Sequence, residues 1–170
     1  MENKKIKLIV LDVDGTLTDG GVYYDSNGNE FKRFDVKDGL GIRVAQKAGL
    51  EFAIITGRES HMVERRTSEL GIRYILQGVQ NKYPALLNLA KELGCTLEEI
   101  AYIGDDLNDL QCMESVGFAA CPADAAKQIK STAHYVSIYK GGYGAVRDIL
   151  EHLISFLDFS VFAKNIYYCI

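Results

Sequence analysis

The chain has no CxxC pair, only two prolines, no long apolar run and no basic excess. Its four cysteines (Cys95, Cys112, Cys121, Cys169) are scattered, and its three histidines (His61, His134, His152) share no ligand spacing with them. That excludes a zinc module and a disulfide framework. Cys112, in a helix-like stretch, reads as a packed core thiol. A net charge of −4 gives no footprint for nucleic acid or an anionic membrane surface. No apolar stretch reaches the roughly 20 residues of a membrane span. The basic start is followed by only a short, mostly apolar segment before Asp12, too little for a secretory leader. A cytoplasmic chain with no nucleic-acid or membrane partner is the expectation. There is no repeat, low-complexity segment or linker. With 170 residues and 48% hydrophobic content, one domain with a real core is expected.

What the chain does have is two carboxylates at the end of its first apolar run, Ile6-Lys7-Leu8-Ile9-Val10-Leu11-Asp12-Val13-Asp14-Gly15-Thr16. The run reads as a buried strand. Residues i and i+2 of an extended chain point to one side, so Asp12 and Asp14 can face one point beyond the strand. Gly15 lets the chain turn away. Two such carboxylates repel unless a cation or a shared proton intervenes. A hard metal site is the reading, and carboxylate-bound Mg²⁺ usually implies a phosphate partner.

Strand and helix signals then alternate. Gly21–Tyr24 and Glu30–Phe34 flank Asp25–Asn29, where Asn27-Gly28 is a hairpin turn signal. Asp38 can cap a helix to about Ala48, stopped by Gly49. Glu51–Ile55 reads as a strand, Ser60 as the cap of a helix stopped by Gly71, and Tyr74–Leu76 as a strand. Lys82–Leu93 reads as a helix stopped by Gly94, with Pro84 tolerated in its first turn. Thr96-Leu97-Glu98-Glu99 fits a capping box. Ile100–Ile103, Gly117–Ala120 and Tyr135–Ile138 are further strands, with Asp124–Lys130 helical between the last two. Gly144–Phe156 reads as a final helix. This alternation predicts an α/β fold: a doubly wound, Rossmann-like parallel sheet with helices on both faces and a small β-hairpin flap at about 20–35.

Four polar clusters fall at strand ends, where open α/β sheets bind ligands. They are Asp12/Asp14; Thr56 with Arg58; Lys82; and Asp105/Asp106/Asp109. Each alone has an ordinary alternative: a solvated turn, a helix-entry residue, a surface lysine, a cap. Together they make a phosphoryl-transfer site. A phosphate monoester is a dianion, so an anionic nucleophile needs charge compensation. Mg²⁺ held by Asp12, Asp105 and the backbone at Asp14 would supply part, and Lys82 more. Thr56 would add a hydroxyl donor. Asp12 would attack phosphorus, and Asp14 would serve as acid and then base. Asp106 and Asp109 would bind metal water, hold Lys82 or orient their loop.

The series Asp-x-Asp-x-Thr, Thr, Lys and Gly-Asp-Asp-x-x-Asp, in that order, resembles the haloacid dehalogenase superfamily of phosphatases. Many members carry a mobile cap domain. Here 41 residues separate Asp14 from Thr56 and 25 separate Thr56 from Lys82, which leaves no room for one. The site is expected to stand open unless a macromolecular substrate or neighbouring subunits cover it. The hairpin offers Tyr23, Tyr24, Phe31 and Phe34 for packing between subunits.

The capless form is similar to the 3-deoxy-D-manno-octulosonate 8-phosphate phosphatase family. The matching segments are Leu11–Gly15, Phe34–Arg43, Ala53–Arg58, Arg66, Leu70–Ile72, Gln77-Gly78 with Asn81-Lys82, Ala101–Leu107 and Gly141–Arg147. The resemblance covers about residues 6–153. It implies an Mg²⁺-dependent phosphatase on the way to lipopolysaccharide, a homotetramer with a central barrel of hairpins, and a neighbour that helps close each site. It also implies substrate contacts from Asp14, the loop Asp35, Val36, Lys37, Asp38 and Gly39, and from Arg43, Arg58, Arg66 and Lys82. A phosphate that also carries a carboxylate needs such cations, and Arg can bind the carboxylate bidentately.

Tyr143 stands where many members have Arg, and Asp148 where Glu is common. The apolar end has no match. The phosphatase core is therefore expected over 1–154 and a tail over 155–170. Close relatives act on nine-carbon acids such as 2-keto-3-deoxynononate 9-phosphate or N-acylneuraminate 9-phosphate, and Arg58 leans toward the eight-carbon acid. A reading of another class is a phospho-receiver signalling domain. There the phosphorylated Asp ends the third strand, and no acid/base follows two residues on.

Overall fold

The computed structural model describes residues 6–155. The tail expected over 155–170 lies, beyond Ser155, outside the described residues, as does Cys169. The first apolar run forms β1 (Leu8–Leu11), buried throughout. Its side chains alternate as a strand's must: Ile9 and Leu11 enter one core, Leu8 and Val10 the other.

The hairpin follows as β2 (Tyr23–Tyr24) and β3 (Glu30–Phe31), antiparallel, with Tyr23 opposite Phe31. Its strands are shorter than expected. The loop is organised by Asp25, whose carboxylate accepts the N–H groups of Asn27 and Asn29, each at 2.8 Å. An aspartate side chain substituting for a backbone acceptor is a turn-former in its own right. Tyr23, Tyr24 and Phe31 are exposed, but Phe34 is not. A β-bridge to Thr18 draws Phe34 against the main core.

Helix α1 (Val36–Lys47) starts earlier than expected because Asp35, not Asp38, is its cap. Asp35 accepts the Lys37 N–H at 2.7 Å. β4 (Glu51–Ile55) leads to α2 (His61–Leu70), capped by Ser60 and ended by Gly71. β5 (Tyr74–Leu76) precedes α3 (Lys82–Leu93), which ends at Gly94. The Thr96–Glu99 capping box opens a 3₁₀ turn. β6 (Ile100–Ile103) is followed by a second 3₁₀ turn at Leu107–Asp109 and by α4 (Leu110–Ser115), which buries Cys112. β7 (Phe118–Cys121), α5 (Lys127–Thr132), β8 (Tyr135–Val136) and α6 (Ala145–Ser155) complete the chain. β8 stops early because the Ser137 hydroxyl turns inward to donate to Asp148 at 2.7 Å.

The sheet is six-stranded, in the order β5-β4-β1-β6-β7-β8, and every pairing is parallel. Helices α1, α2 and α6 supply one core; α3, α4 and α5 supply the other. This is the doubly wound α/β fold. Between Asp14 and Thr56 lie only the hairpin, α1 and β4, so no cap domain intervenes. Among the described residues no helix is long and apolar enough to cross a membrane. The chain runs from β1 outward through β4 and β5, then returns to β6 on the other side. Ligands bind at such a reversal, beyond the carboxyl ends of the strands.

Candidate active site

Strand register decides which clusters meet. Leu11 of β1 pairs with Ile54 of β4 and with Ile103 of β6. Asp12 therefore emerges between Thr56 and the Gly104-Asp105 turn. Asp12, Asp14, Thr56, Gly57, Arg58, Asp105, Asp106 and Asn108 line one cavity of about 210 Å³. Two larger open clefts exist elsewhere, one lined by Glu59–His61, Glu64, Ile75 and Gln77, the other by Asp19, Tyr23 and Tyr143 among others. Neither brings together opposed charges of this density. The smaller cavity is the candidate site because its polar groups converge.

Behind the cavity lies a buried ion cluster. The Lys82 ammonium, 1% exposed, sits 2.7 Å from a carboxylate oxygen of Asp12 and 2.7 Å from one of Asp109. Tyr102 donates its hydroxyl to the same Asp109 oxygen at 2.8 Å. The other Asp109 oxygen accepts the N–H groups of Asp105 (3.1 Å) and Asp106 (3.3 Å). All four lone-pair directions of Asp109 are thus used. Asp109 holds Lys82 and shapes the Asp105 loop, two of the tasks expected of it. Asp106, expected beside it, caps the 3₁₀ turn by accepting the Leu107 N–H at 2.8 Å.

The carboxylates facing the cavity behave differently. Burial and the nearby Asp109 charge push the Asp12 carboxyl up, against the pull of Lys82. Asp105 is also pushed up, first by burial, then by the charges of Asp12 and Asp109. The lysine itself is held above its usual value: burial opposes its charge, but Asp12 and Asp109 outweigh it. One buried lysine is thus shared between Asp12 and Asp109, with the Asp105 carboxyl beside them, and the site has excess negative charge.

That excess is what a cation would neutralise. Oxygens of Asp12, Asp105 and Asp109 lie within 4.8 Å of one another. Since Asp109 has no lone pair free, Asp12 and Asp105 are the candidate ligands. The Thr16 hydroxyl fixes Asp105 from behind, at 3.1 Å. Gly15, at φ 93°, passes so close that an added Cβ would lie 2.1 Å from an Asp105 oxygen. Only glycine allows the backbone after Asp14 to approach this carboxylate. An all-oxygen, carboxylate-rich donor set suits a hard divalent cation. Gly141 closes the loop from the far side: a Cβ there would lie 1.7 Å from the Gly15 carbonyl oxygen.

The remaining expected site residues fall in two groups. Arg58 reaches the cavity, where its guanidinium donates to Glu30 at 2.7 Å and to the Tyr24 hydroxyl at 3.3 Å. The rest lie outside the cavity lining. Arg66 donates to the Asp35 carbonyl at 3.3 Å, fastening the start of α1 to α2. Gly39 lies under that guanidinium. Arg43 donates to the Leu70 carbonyl at 3.2 Å and so caps the C-terminal end of α2. Val36 and Lys37 are exposed. Asp38 is 1% exposed; it accepts the Arg147 N–H at 2.7 Å and so caps α6 from another helix.

Several neighbours were not expected from the sequence to take part in the site. Lys32, Glu30 and Ser60 form an ion-pair and hydrogen-bond chain beside Asp14. Tyr102 and Thr16 buttress the aspartates, and Asn108 lines the cavity. The Thr of Asp-x-Asp-Gly-Thr was readable as part of its motif; Lys32 and Tyr102 look like ordinary strand residues until the chain is folded.

The sheet order, the aspartate-bearing turn after β1 and the lysine–aspartate cluster are those of the haloacid dehalogenase-like hydrolases, and residues 72–150 match that family's profile. Across a longer stretch, the chain is 45% identical over 151 residues to the 3-deoxy-D-manno-octulosonate 8-phosphate phosphatase of Escherichia coli K12, covering 89% of this chain and 80% of that protein. It also superposes on the Moraxella catarrhalis phosphatase of that name, crystallised with magnesium, phosphate and KDO: TM-score 0.91, 44% identity, covering 95% of this chain and 93% of that one. The cobalt-bound Haemophilus influenzae phosphatase gives TM-score 0.86 and 38% identity, covering 90% of each chain. The chain belongs to the 3-deoxy-D-manno-octulosonate 8-phosphate phosphatase family.

Proposed function

We propose that this chain hydrolyses 3-deoxy-D-manno-octulosonate 8-phosphate to the free sugar acid and phosphate, with Mg²⁺, through a phosphorylated Asp12. The observation that carries this reading is the position of Asp12. One of its oxygens is pinned at 2.7 Å by a buried lysine, and the carboxyl faces the cavity beside Asp105. Mg²⁺ bound by Asp12 and Asp105 would neutralise charge on the incoming dianion.

The chain's own groups do the rest. Lys82 fixes the attacking carboxylate and places a positive charge beside the phosphoryl oxygens. Thr56, 2% exposed and lining the same cavity, would donate its hydroxyl to a phosphoryl oxygen. An Asp12 oxygen forms a bond to phosphorus as the ester P–O bond breaks. The departing alkoxide takes the proton of the Asp14 carboxyl. Water then attacks the phosphorus of the aspartyl-phosphate and gives its proton to the Asp14 carboxylate. Orthophosphate leaves and Asp12 is restored. Arg58 offers a planar fork to the substrate carboxylate.

Asp12 follows the first strand and Asp14 stands two residues on, which favours turnover over the stable labelling of a receiver domain. The homotetramer belongs to this proposal: Tyr23, Tyr24 and Phe31 are 46%, 62% and 54% exposed on a hairpin too short to be stable alone, and packing hairpins together would cover them. So do the cytoplasmic setting, the place in lipopolysaccharide precursor synthesis, and the division into a core over 1–154 and a tail.

The test ranks kcat/KM on a panel of phosphates with Mg²⁺. The eight-carbon keto acid should lead the nine-carbon acids and simple sugar phosphates by at least about tenfold, the low end of what a pocket discriminates for one extra or missing carbon unit. A nine-carbon acid in first place would replace the substrate, and no turnover of any ester would remove the reading.

A further inference from the structure

We propose that Lys32, on the hairpin, is the positioning residue that holds the Asp14 carboxyl at the leaving-group side of the site. This rests on the acid/base reading of Asp14 and assigns what keeps that group in place.

Lys32 is anomalous for its location. The hairpin around it is largely solvated, with Tyr24 62% exposed, yet the Lys32 side chain is 2% exposed. Burying an ammonium is costly unless anions meet it. Two do. Lys32 donates to an oxygen of Asp14 and lies 3.7 Å from an oxygen of Glu30. Glu30 is itself fixed: Arg58 pairs with it at 2.7 Å, and the Ser60 hydroxyl donates to it at 2.6 Å. Ser60 is also the N-cap of α2 and accepts the Met62 N–H at 3.3 Å. A continuous chain of contacts therefore runs from the capped end of α2, through Ser60, Glu30 and Lys32, to Asp14.

Asp14 needs such an anchor. Its carboxyl is 26% exposed at the cavity mouth, and among the described residues the hydrogen bond from Lys32 is the one that its side chain receives. A short acidic side chain at an open mouth rotates freely unless held. General acid catalysis requires the donor within hydrogen-bond reach of the leaving oxygen. Asp12 is held by Lys82 from within the core; Asp14 is held by Lys32 from the hairpin. The hairpin is then part of the reaction machinery as well as a surface for assembly.

A positioned acid matters only when the leaving group needs a proton. The full-length chain with Mg²⁺ is assayed on 3-deoxy-D-manno-octulosonate 8-phosphate, which leaves as an alkoxide, and on 4-nitrophenyl phosphate, which leaves as a stable phenolate. The kcat/KM ratio reports steps up to departure of the alcohol, so water attack on the intermediate does not enter. For Lys32→Met, kcat/KM on the sugar ester should fall by about 10²–10³-fold, the range of a general acid's contribution, and on the aryl ester by under about fivefold. Lys32→Arg, which keeps a cation beside Asp14, should hold the ratio between the two esters within about tenfold of wild type. Lys32→Gln carries the same comparison if the methionine variant does not fold. Equal losses on both esters, or no loss on either, overturn the role of Lys32 while leaving the phosphatase intact. A wild-type chain that hydrolyses neither ester overturns the catalytic reading itself, and Lys32 with it.

Discussion

The two walls of the cavity are built by opposite means. The inner wall, Asp12, Lys82, Asp109 and Tyr102, is buried behind the central strands, and each polar group there is matched by a partner from another element. The outer wall, Asp14, Arg58, Glu30 and Lys32, is partly solvated and depends on a two-stranded hairpin. The inner wall sets where the phosphoryl group can sit. The outer wall sets how the leaving group and the rest of the substrate are met. Damage to the inner wall should cost stability and rate together; damage to the outer wall should cost rate or affinity and leave the fold.

Lys82→Met is the harshest test of that contrast. It leaves the buried Asp12 and Asp109 without their cation, and stability should fall by about 3–5 kcal/mol in urea denaturation. kcat/KM should fall by about 10³-fold or more, as for loss of a charge clamp on the transferring group. A variant that loses rate with no loss of stability would show that the inner ion cluster is not structural.

A buried carboxylate outside both walls provides a control. Burial pushes the Asp38 carboxyl up to about 6, and its second oxygen has no hydrogen-bond partner among the described residues. The folded value lies above the unfolded one, so the folded state holds the proton more tightly. The stability linked to that proton is full below about pH 4 and is lost as pH rises through about 6. Between pH 4 and pH 7 the loss is up to about 3 kcal/mol, at about 1.4 kcal/mol per pH unit of displacement. Asp38→Asn should remove this slope in thermal melts while leaving kcat near wild type. An unchanged pH profile would mean that the charged form is well accommodated at the start of α6.

Arg58→Ala probes the outer wall. KM for the carboxylate-bearing ester should rise about tenfold with kcat little changed, since the contact acts on ground and transition states alike. The melting temperature should stay, because Arg58 is 40% exposed. A fall in kcat instead would place Arg58 in the chemical step. The mildest change is Tyr102→Phe in the inner wall. It removes one of two donors to a single Asp109 oxygen and should cost about 1 kcal/mol. A much larger loss of kcat/KM in steady-state assays would mean that Asp109 cannot hold Lys82 without it.

The same division separates what was legible in the sequence from what was not. Asp12, Thr56, Asp105 and the Lys82 helix start follow strands whose apolar runs are plain, and parallel pairing brings strand ends together whatever the side chains are. Helix stops at Gly71 and Gly94 were equally local. The outer contacts were not. Asp38 has the composition of a cap, and it is one, but for α6 rather than for its own helix. Arg43 and Arg66 read as substrate cations; their further task, donating to the carbonyls of Leu70 and Asp35, appears only once α1 and α2 pack. Lys32 sits in a stretch that reads as an assembly hairpin, and its burial depends on Glu30, Ser60 and Asp14 meeting across long sequence separations. Phe34 was misplaced for the same reason: its bridge to Thr18 is tertiary.

The central claim is that Asp12 itself carries the phosphoryl group during turnover. Substrate labelled with ³²P in its phosphate, mixed with enzyme and Mg²⁺ and quenched in acid within the first turnover, tests it directly. The account predicts acid-stable, hydroxylamine-labile label on the peptide containing Asp12, absent in Asp12→Asn, which should fold and release no phosphate. Label appearing only as free phosphate at every early time, with Asp12→Asn still turning over, would contradict it.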